Sequence, residues 1–471
     1  MRSVEKIYID GAFVTPHGAE MFALHNPATA ETIGHVRLGD VDDVRAAIAA
    51  AKRAFPCMSK STKADRKAML NRLADALEIR RSDLVETIIE EYGAPISRSS
   101  WMVDHAVRAL RLAAETLESY AFERQIGTAR VTMEPLGVVG LITPWNANAG
   151  FIATKLAMVI ASGSTCVIKP SELSALQTQI VAEAFHSAGI PPGVFNVVNG
   201  RGEVVGAELS RHPDIAKISF TGSTATGRSI LRSAADTFKR VTLELGGKSP
   251  MIIMDDAQFD AAVPFVLNSG FMNSGQACIA GTRILVPERR LAEFEAAIVS
   301  ALVSFPSGDP RDPATAIGPM VSSRQWDRVQ SYIRKGRMEG ATLLAGGEGR
   351  PEGTASGWFV RPTIFSDVRN DMAIARDEIF GPVLSIIPYV SEEEAIEIAN
   401  DTDFGLHAYV AGTDAGRARR IAQGLVAGRV VINDAPVEAN APFGGFKHSG
   451  MGRENGSFGL DAYLEPRAIM G

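Results

Sequence analysis

Cysteine is scarce in this chain: Cys57, Cys166 and Cys278 are the three among 471 residues. With no Cys-x-x-Cys and such wide separations they build no disulfide framework, which points to a reducing compartment. The eight histidines lack His-x-x-x-His, His-x-Glu or Cys/His spacing, so no metal site is expected. Long apolar runs are missing as well. The greasiest stretch, 151–161, is broken by Lys155 and falls short of the roughly 18 residues of a spanning helix. The first ten residues carry charges and no apolar core of the kind that directs secretion. Basic excess is absent too: 48 Lys+Arg stand against 54 Asp+Glu, a net −6, and the electrostatic footprint of a nucleic-acid or anionic-membrane partner is missing with it. A cytoplasmic protein with neither membrane nor nucleic-acid partner is the expectation.

Apolar residues are plentiful, at 46% against 22% charged, enough for two to four cores at roughly 100–200 residues per domain. Val44, Ile48, Ala51 and Phe55 recur at helical spacing, as do Leu70, Leu73 and Leu77, and Val103, Val107, Leu110, Ala114 and Leu117. The first 120 residues therefore read as largely helical after a short strand at 7–13, and these stripes read as core faces. After Thr132 short apolar runs bounded by Gly or Pro alternate with helical segments. Strands are expected at 137–142, 165–168, 195–198, 216–220 and 241–245, with helices between them. Such alternation predicts a parallel sheet covered on both faces, with ligands at the carboxyl ends of its strands. A second alternating region spans 250–442, with a helix at 290–304, strands at 383–388 and 429–432, and a capping box Ser391-x-x-Glu394. The glycine-rich 346–357 stretch reads as a loop. Paired acids at Asp42–Asp43, Asp255–Asp256 and Glu392–Glu394 sit near expected helix starts, where they complement the dipole. Two packed α/β domains result.

Cys166 lies inside an expected strand and Cys57 at a helix end, so neither has a setting for chemistry. Cys278 sits in Asn273-Ser-Gly-Gln-Ala-Cys-Ile-Ala-Gly-Thr-Arg283, small and polar residues that let a substrate approach sulfur. It is a nucleophile if its pKa is lowered and a core thiol otherwise. Gly200-Arg-Gly202-Glu-Val-Val-Gly206 misses the Gly-x-Gly-x-x-Gly spacing and reads as a packing turn. Phe220-Thr-Gly-Ser-Thr-Ala-Thr-Gly227 follows a strand and opens a helix, which suits either a pyrophosphate or a plain capped turn. Thr143-Pro-Trp-Asn146 and Lys169-Pro-Ser-Glu172 close two further strands, as ligand-edge residues or as solvated loops.

Taken in order, these stretches resemble the NAD(P)-dependent aldehyde dehydrogenase superfamily over essentially the whole chain. The resemblance rests on Pro144-Trp-Asn146, Lys169-Pro-Ser-Glu172, Phe220-Thr-Gly-Ser-Thr224, Leu243-Glu-Leu-Gly-Gly-Lys-Ser-Pro250, Gly275-Gln-Ala-Cys278, Glu378-Ile-Phe-Gly-Pro382 and Pro442-Phe-Gly-Gly-Phe-Lys-His-Ser-Gly450. It implies an α/β fold with a Rossmann-like coenzyme-binding domain (1–121 and 134–246), a second α/β catalytic domain (247–446) and a small β oligomerisation arm (122–133 and 447–471). In that arm 122–133 would pair with 462–471, giving a homodimer or homotetramer.

The same resemblance implies that Cys278 is the nucleophile, that Asn146 and the Cys278 N–H form the oxyanion hole, and that Glu244 is the general base. Lys155 and Glu454 resemble a pair that supports Glu244. For the cofactor it implies Lys169, Ser171 and Glu172 at the adenine ribose, and Phe220, Thr221, Gly222, Ser223 and Gly227 around the pyrophosphate. Glu378 would take the nicotinamide ribose, with Thr143, Pro144, Trp145, Leu245 and Phe380 alongside. A carboxylate at Glu172 would repel a 2′-phosphate, which favours NAD over NADP. Ala147-Asn148 stand where relatives commonly carry Phe-Pro, removing an aromatic wall from the substrate tunnel. The alternatives are a CoA-acylating semialdehyde dehydrogenase, argued against by Glu244, a silent NAD-binding protein, argued against by intact Cys278, Glu244 and Asn146, and thiol-dependent ester hydrolysis.

Overall fold

The computed structural model describes residues 2–354 and 356–471. Met1 and Ala355, which lies in the 346–357 loop, fall outside the described residues.

Five mutually parallel strands form the centre of an eight-stranded sheet, in the spatial order Arg240–Glu244, Ile215–Thr221, Val138–Ile142, Thr165–Lys169, Phe195–Val197. Val138–Ile142 and Thr165–Lys169 are buried at every position, as strands covered on both faces must be. Antiparallel additions close the edges: Ile7–Ile9 with Ala12–Val14 on one side and Gly450–Met451 on the other. The two faces carry separate cores. Val44, Ala47, Ile48 and Ala51 of the Val41–Met58 helix pack with Val138, Val167 and Ile218 on one face. Leu70, Leu73 and Leu77 pack with Leu110, Ala114, Ile152 and Leu156 on the other.

The second sheet has seven strands, in the order Thr342–Ala345, Thr363–Ser366, Val383–Tyr389, Gly281–Pro287, Ser249–Ile253, His407–Ala411, Arg429–Ile432. All pairings are parallel except that of the Thr342–Ala345 edge. A third sheet pairs Leu464–Ile469 with Ala129–Pro135, which turns back onto Glu123–Ile126. The 447–471 segment is thus divided: Phe446–Lys447 pairs with Phe404–Gly405, Gly450–Met451 with the eight-stranded sheet, and Leu464–Ile469 with Ala129–Pro135. Among the described residues no helix is long and apolar enough to cross a membrane.

Three expectations need correction. The first 120 residues are not helical from residue 14 onward: Arg2–Val4, Thr32–Arg37 and Met21–His25 form a three-stranded sheet. These strands are short and partly exposed, so no period-2 pattern announces them. The helix at 290–304 is α-helical over Leu291–Ala301 alone, with single 3₁₀ turns at both ends. Asp255 and Asp256 stand just ahead of the Phe259–Gly270 helix, as expected, and their carboxylates serve a second helix as well. Asp255 accepts from Arg417 Nη2 at 2.7 Å, and Asp256 from the Asp414 N–H at 2.8 Å, at the head of the distant Ala415–Gly424 helix. At Ser391 the hydroxyl caps the Glu394 N–H as expected, while the Glu394 carboxylate returns to the Val390 N–H instead of that of Ser391.

Candidate active site

Polar side chains collect where the strands of the first sheet end. Thr143 follows Val138–Ile142, Thr221 ends Ile215–Thr221, Asn199 lies just past Phe195–Val197 and Glu244 ends Arg240–Glu244. Thr143 Oγ1, Thr221 Oγ1, Asn199 Oδ1 and both Glu244 carboxylate oxygens are buried without a hydrogen-bond partner. A buried polar atom left unpaired costs about 1–3 kcal/mol, so a row of them along one sheet edge marks a place built for a ligand.

Cys278 approaches from the second sheet on a turn of unusual shape. Asn273 and Ser274 have φ of 55° and 59°, and Gly275 follows at 73°, three successive left-handed residues. Such backbone persists where its surroundings over-determine it. Ser274 Oγ accepts from the Gly318 N–H at 2.9 Å. Gln276 donates to Pro319 O at 3.2 Å and accepts from the Val321 N–H at 3.0 Å. At Gly275 a side chain would run into the Gly381 backbone. Residues 277–280 then turn back, with the Ala280 N–H donating to Ala277 O at 3.1 Å. Gly247 lies against the Cys278 carbonyl, too close for any Cβ.

Asn146 joins the two sheets at this point. Its Nδ2 donates to Gln276 O at 3.0 Å, and Asn273 Nδ2 donates to both Asn146 O (3.0 Å) and Gln276 O (3.1 Å). Cys278 taken as a whole residue is half-buried. Burial pushes its thiol up, and the Glu378 and Glu244 carboxylates push it further. Glu244 is itself held well above the usual carboxylate range by burial and by the charge of Glu454, with Lys155 opposing. Lys155, on the Asn148–Ser162 helix, forms a buried ion pair with Glu454 and donates to Ser219 Oγ at 3.0 Å. The structure therefore brings Cys278, Glu244, Asn146, Lys155 and Glu454 into one neighbourhood. Such an array can activate a thiol, hold a developing oxyanion and move a proton.

The remaining predicted residues line the same edge. Lys169 Nζ lies 3.2 Å from Glu172 Oε2, and Ser171 Oγ accepts from the Leu173 N–H. Ser223 caps the Thr224–Ala235 helix through the Thr226 N–H at 3.3 Å; it is both a capped turn and a free dipole end. The Phe220 ring lies under Gly222, and Gly227 lets the Leu245 side chain pack over it. Pro144 leads into Trp145, whose ring meets Phe380 edge to face at 5.4 Å. Glu378 accepts from the Gly247 N–H at 3.0 Å, and burial raises it to about 7.

Asn148, where the resemblance leads one to expect a proline, is committed to packing. It is buried, and its side-chain amide donates to Thr178 Oγ1 at 2.9 Å. His17, Asp40 and Asp42 come together at the start of the Val41–Met58 helix, a grouping that sequence spacing hides; Asp40 is that helix's cap. Sequence reasoning also passed over the roles of Asn273, Gln276 and Tyr409 in holding the Cys278 turn. For the first two a signal existed in the quoted motif, and for Tyr409 there was none.

Comparison with known proteins agrees with this geometry. The profile of the aldehyde dehydrogenase family matches residues 13–469. The chain is 45% identical to 3-succinoylsemialdehyde-pyridine dehydrogenase of a Pseudomonas species, over 100% of this chain and 99% of that one. It superposes on a cysteine-to-alanine variant of aldehyde dehydrogenase C from Pseudomonas syringae, solved with NAD+ and octanal. That match has a TM-score of 0.98 at 44% identity and covers 99% and 96% of the two chains. Betaine aldehyde dehydrogenase from Staphylococcus aureus in complex with NAD+ superposes with a TM-score of 0.96 at 36% identity, covering 99% and 94%. A cysteine turn, an asparagine amide and a buried glutamate at a doubly wound sheet edge, within a match that runs the length of the chain, show that this protein belongs to the aldehyde dehydrogenase family.

Proposed function

We propose that this protein oxidises an aldehyde to its carboxylic acid with NAD as electron acceptor, through a thiohemiacetal and a thioester on Cys278. One observation carries the reading: the Cys278 turn is pinned through Gln276 to Asn146, while Glu244 stands unpartnered and close enough for its charge to raise the thiol.

The residues at the first sheet's edge fit a dinucleotide. Unpaired Thr143 and Thr221 hydroxyls and an open helix N-terminus at Ser223 suit sugar and pyrophosphate oxygens. Lys169 and Glu172 would hold the adenine ribose, and Glu378 the nicotinamide ribose, with Trp145 and Phe380 beside the ring. When bound, the nicotinamide supplies a hydride acceptor.

Everything else falls to the chain. Burial keeps the resting thiol neutral, so its proton leaves for Glu244 as sulfur adds to the carbonyl carbon. Asn146 Nδ2 has two N–H bonds; one stays on Gln276 O and the other, with the Cys278 N–H, meets the new oxyanion. Once the carbon is oxidised it remains on sulfur as a thioester. Glu244 passes the thiol's proton on to solvent and, ionised again, takes a proton from water as the water oxygen adds to the thioester carbon, while the same donors hold the second oxyanion. Cleavage of the C–S bond frees the acid, and the departing Cys278 sulfur recovers a proton from Glu244, which restores the neutral thiol and the ionised base.

A homodimer or homotetramer in the cytoplasm completes the reading. Glu123–Ile126 is exposed along its length, and Ile126, Ile469 and Met470 are apolar and open to solvent. An edge of that kind calls for a partner strand.

An aldehyde panel with NAD or NADP, with and without CoA, tests the chemistry. NADH formation without CoA is expected, and Cys278→Ala should abolish it while leaving NAD binding intact. Strict dependence on CoA would replace the hydrolytic reading with acyl transfer.

A further inference from the structure

Tyr409 lies on the His407–Ala411 strand of the seven-stranded sheet, far in sequence from every motif above. Its side chain is 4% exposed, and its hydroxyl donates to Ile279 O at 2.7 Å. The ring is clamped: it meets Phe265 edge to face at 5.6 Å and His407 at 4.6 Å. On a further side Gly281 approaches so closely that an added Cβ would sit 3.0 Å from the ring. A phenol held on these sides presents its hydroxyl in one direction.

Ile279 directly follows Cys278, and the two are the central residues of the turn closed by the Ala280 N–H on Ala277 O. Upstream, Gln276 O receives two donors, Asn146 Nδ2 and Asn273 Nδ2. Downstream, Ile279 O is held by Tyr409. The Cys278 N–H and Sγ therefore stand between two anchored carbonyls, one tied to the first sheet's edge and one to the second sheet. A phenylalanine ring would fill the same space without needing a partner, so the hydroxyl's contribution is the bond to Ile279.

We propose that Tyr409 is a positioning residue: its hydroxyl orients the turn so that the Cys278 N–H and sulfur face the reacting carbonyl together. This rests on the assignment of Cys278 as nucleophile. Misplacement of a reacting group by a fraction of an ångström lowers rate more than stability.

Tyr389 supplies a matched control. It too is buried in this sheet and donates to a strand carbonyl, Ile253 O, at 2.7 Å. Tyr409→Phe and Tyr389→Phe, made in the full chain, should lose similar small amounts of thermal stability. Tyr409→Phe should lower kcat roughly tenfold with KM for NAD unchanged, whereas Tyr389→Phe keeps the wild-type kcat. A Tyr409→Phe kcat within twofold of wild type, or equal losses in both variants, overturns the proposal. Cys278→Ala, assayed alongside, separates the two claims. If it is silent and Tyr409→Phe is unimpaired, the positioning role alone falls; if it still oxidises aldehydes, the nucleophile assignment falls and the Tyr409 role with it.

Discussion

Lys155 and Glu454 form an ion pair sealed from solvent, their side chains 0% and 7% exposed, 299 residues apart in sequence. Burial raises the Glu244 carboxyl most, Glu454 raises it further and Lys155 opposes them, so the pair tunes how readily Glu244 ionises. As general base Glu244 works ionised, and the acid limb of kcat/KM should rise with pH until its raised pKa is passed.

Glu454→Gln removes a like charge from beside Glu244. The acid limb of the kcat/KM profile should move to lower pH, because less free energy opposes ionisation. A limb in the wild-type position would separate the pair from the chemistry. Lys155→Met leaves Glu454 buried without its cation and should lower unfolding stability by about 3–5 kcal/mol, read by denaturant titration.

Glu378 titrates at about 7 in the folded protein because burial opposes its charge. Its folded pKa is raised, so the stability it contributes is fully present below the unfolded value, near 4.5, and is lost as pH rises through about 7. Glu378→Gln has no such proton to lose. Between pH 5 and pH 8 the cofactor-free wild type should lose on the order of 3 kcal/mol relative to this variant, and parallel stability curves would refute it.

Glu172 stands 3.2 Å from Lys169 with part of its carboxylate open. A negative charge there disfavours a 2′-phosphate, so wild type should use NAD in preference to NADP. Glu172→Ser should narrow that ratio by roughly tenfold or more, the loss of about 1.4 kcal/mol of repulsion, measured as kcat/KM for each cofactor. Equal use of both by wild type would remove the carboxylate from the explanation.

Much of the central architecture was legible in the sequence. The strands at 138–142 and 165–169 are short, nearly continuous apolar runs of the kind a sheet covered on both faces requires, and those at 195–197, 215–221 and 240–244 were marked by their alternation with helical segments. Ser223, Lys169 and Glu172 follow strand ends directly, so their placement follows from local order along the chain. The N-terminal sheet was not legible. Met21–His25 and Thr32–Arg37 are half-exposed and pair with each other, and Thr32–Arg37 also pairs with Arg2–Val4, so burial did not mark them. Asp255 resisted for a related reason, since its partner Arg417 lies 162 residues on.

The sequence by itself determined the kinds of atoms available and the order in which they meet the strand ends: a thiol at 278, an amide at 146, a carboxylate at 244. Side-chain chemistry and local periodicity are properties of neighbours in the chain, and a single sequence carries them. The tertiary structure alone decided the left-handed turn at 273–275, the burial that raises the Glu244 carboxyl and the Cys278 thiol, and the clasp of Ile279 by Tyr409. Those depend on Gly381, Glu454 and Tyr409 arriving from distant segments, and on the low-dielectric space their packing creates.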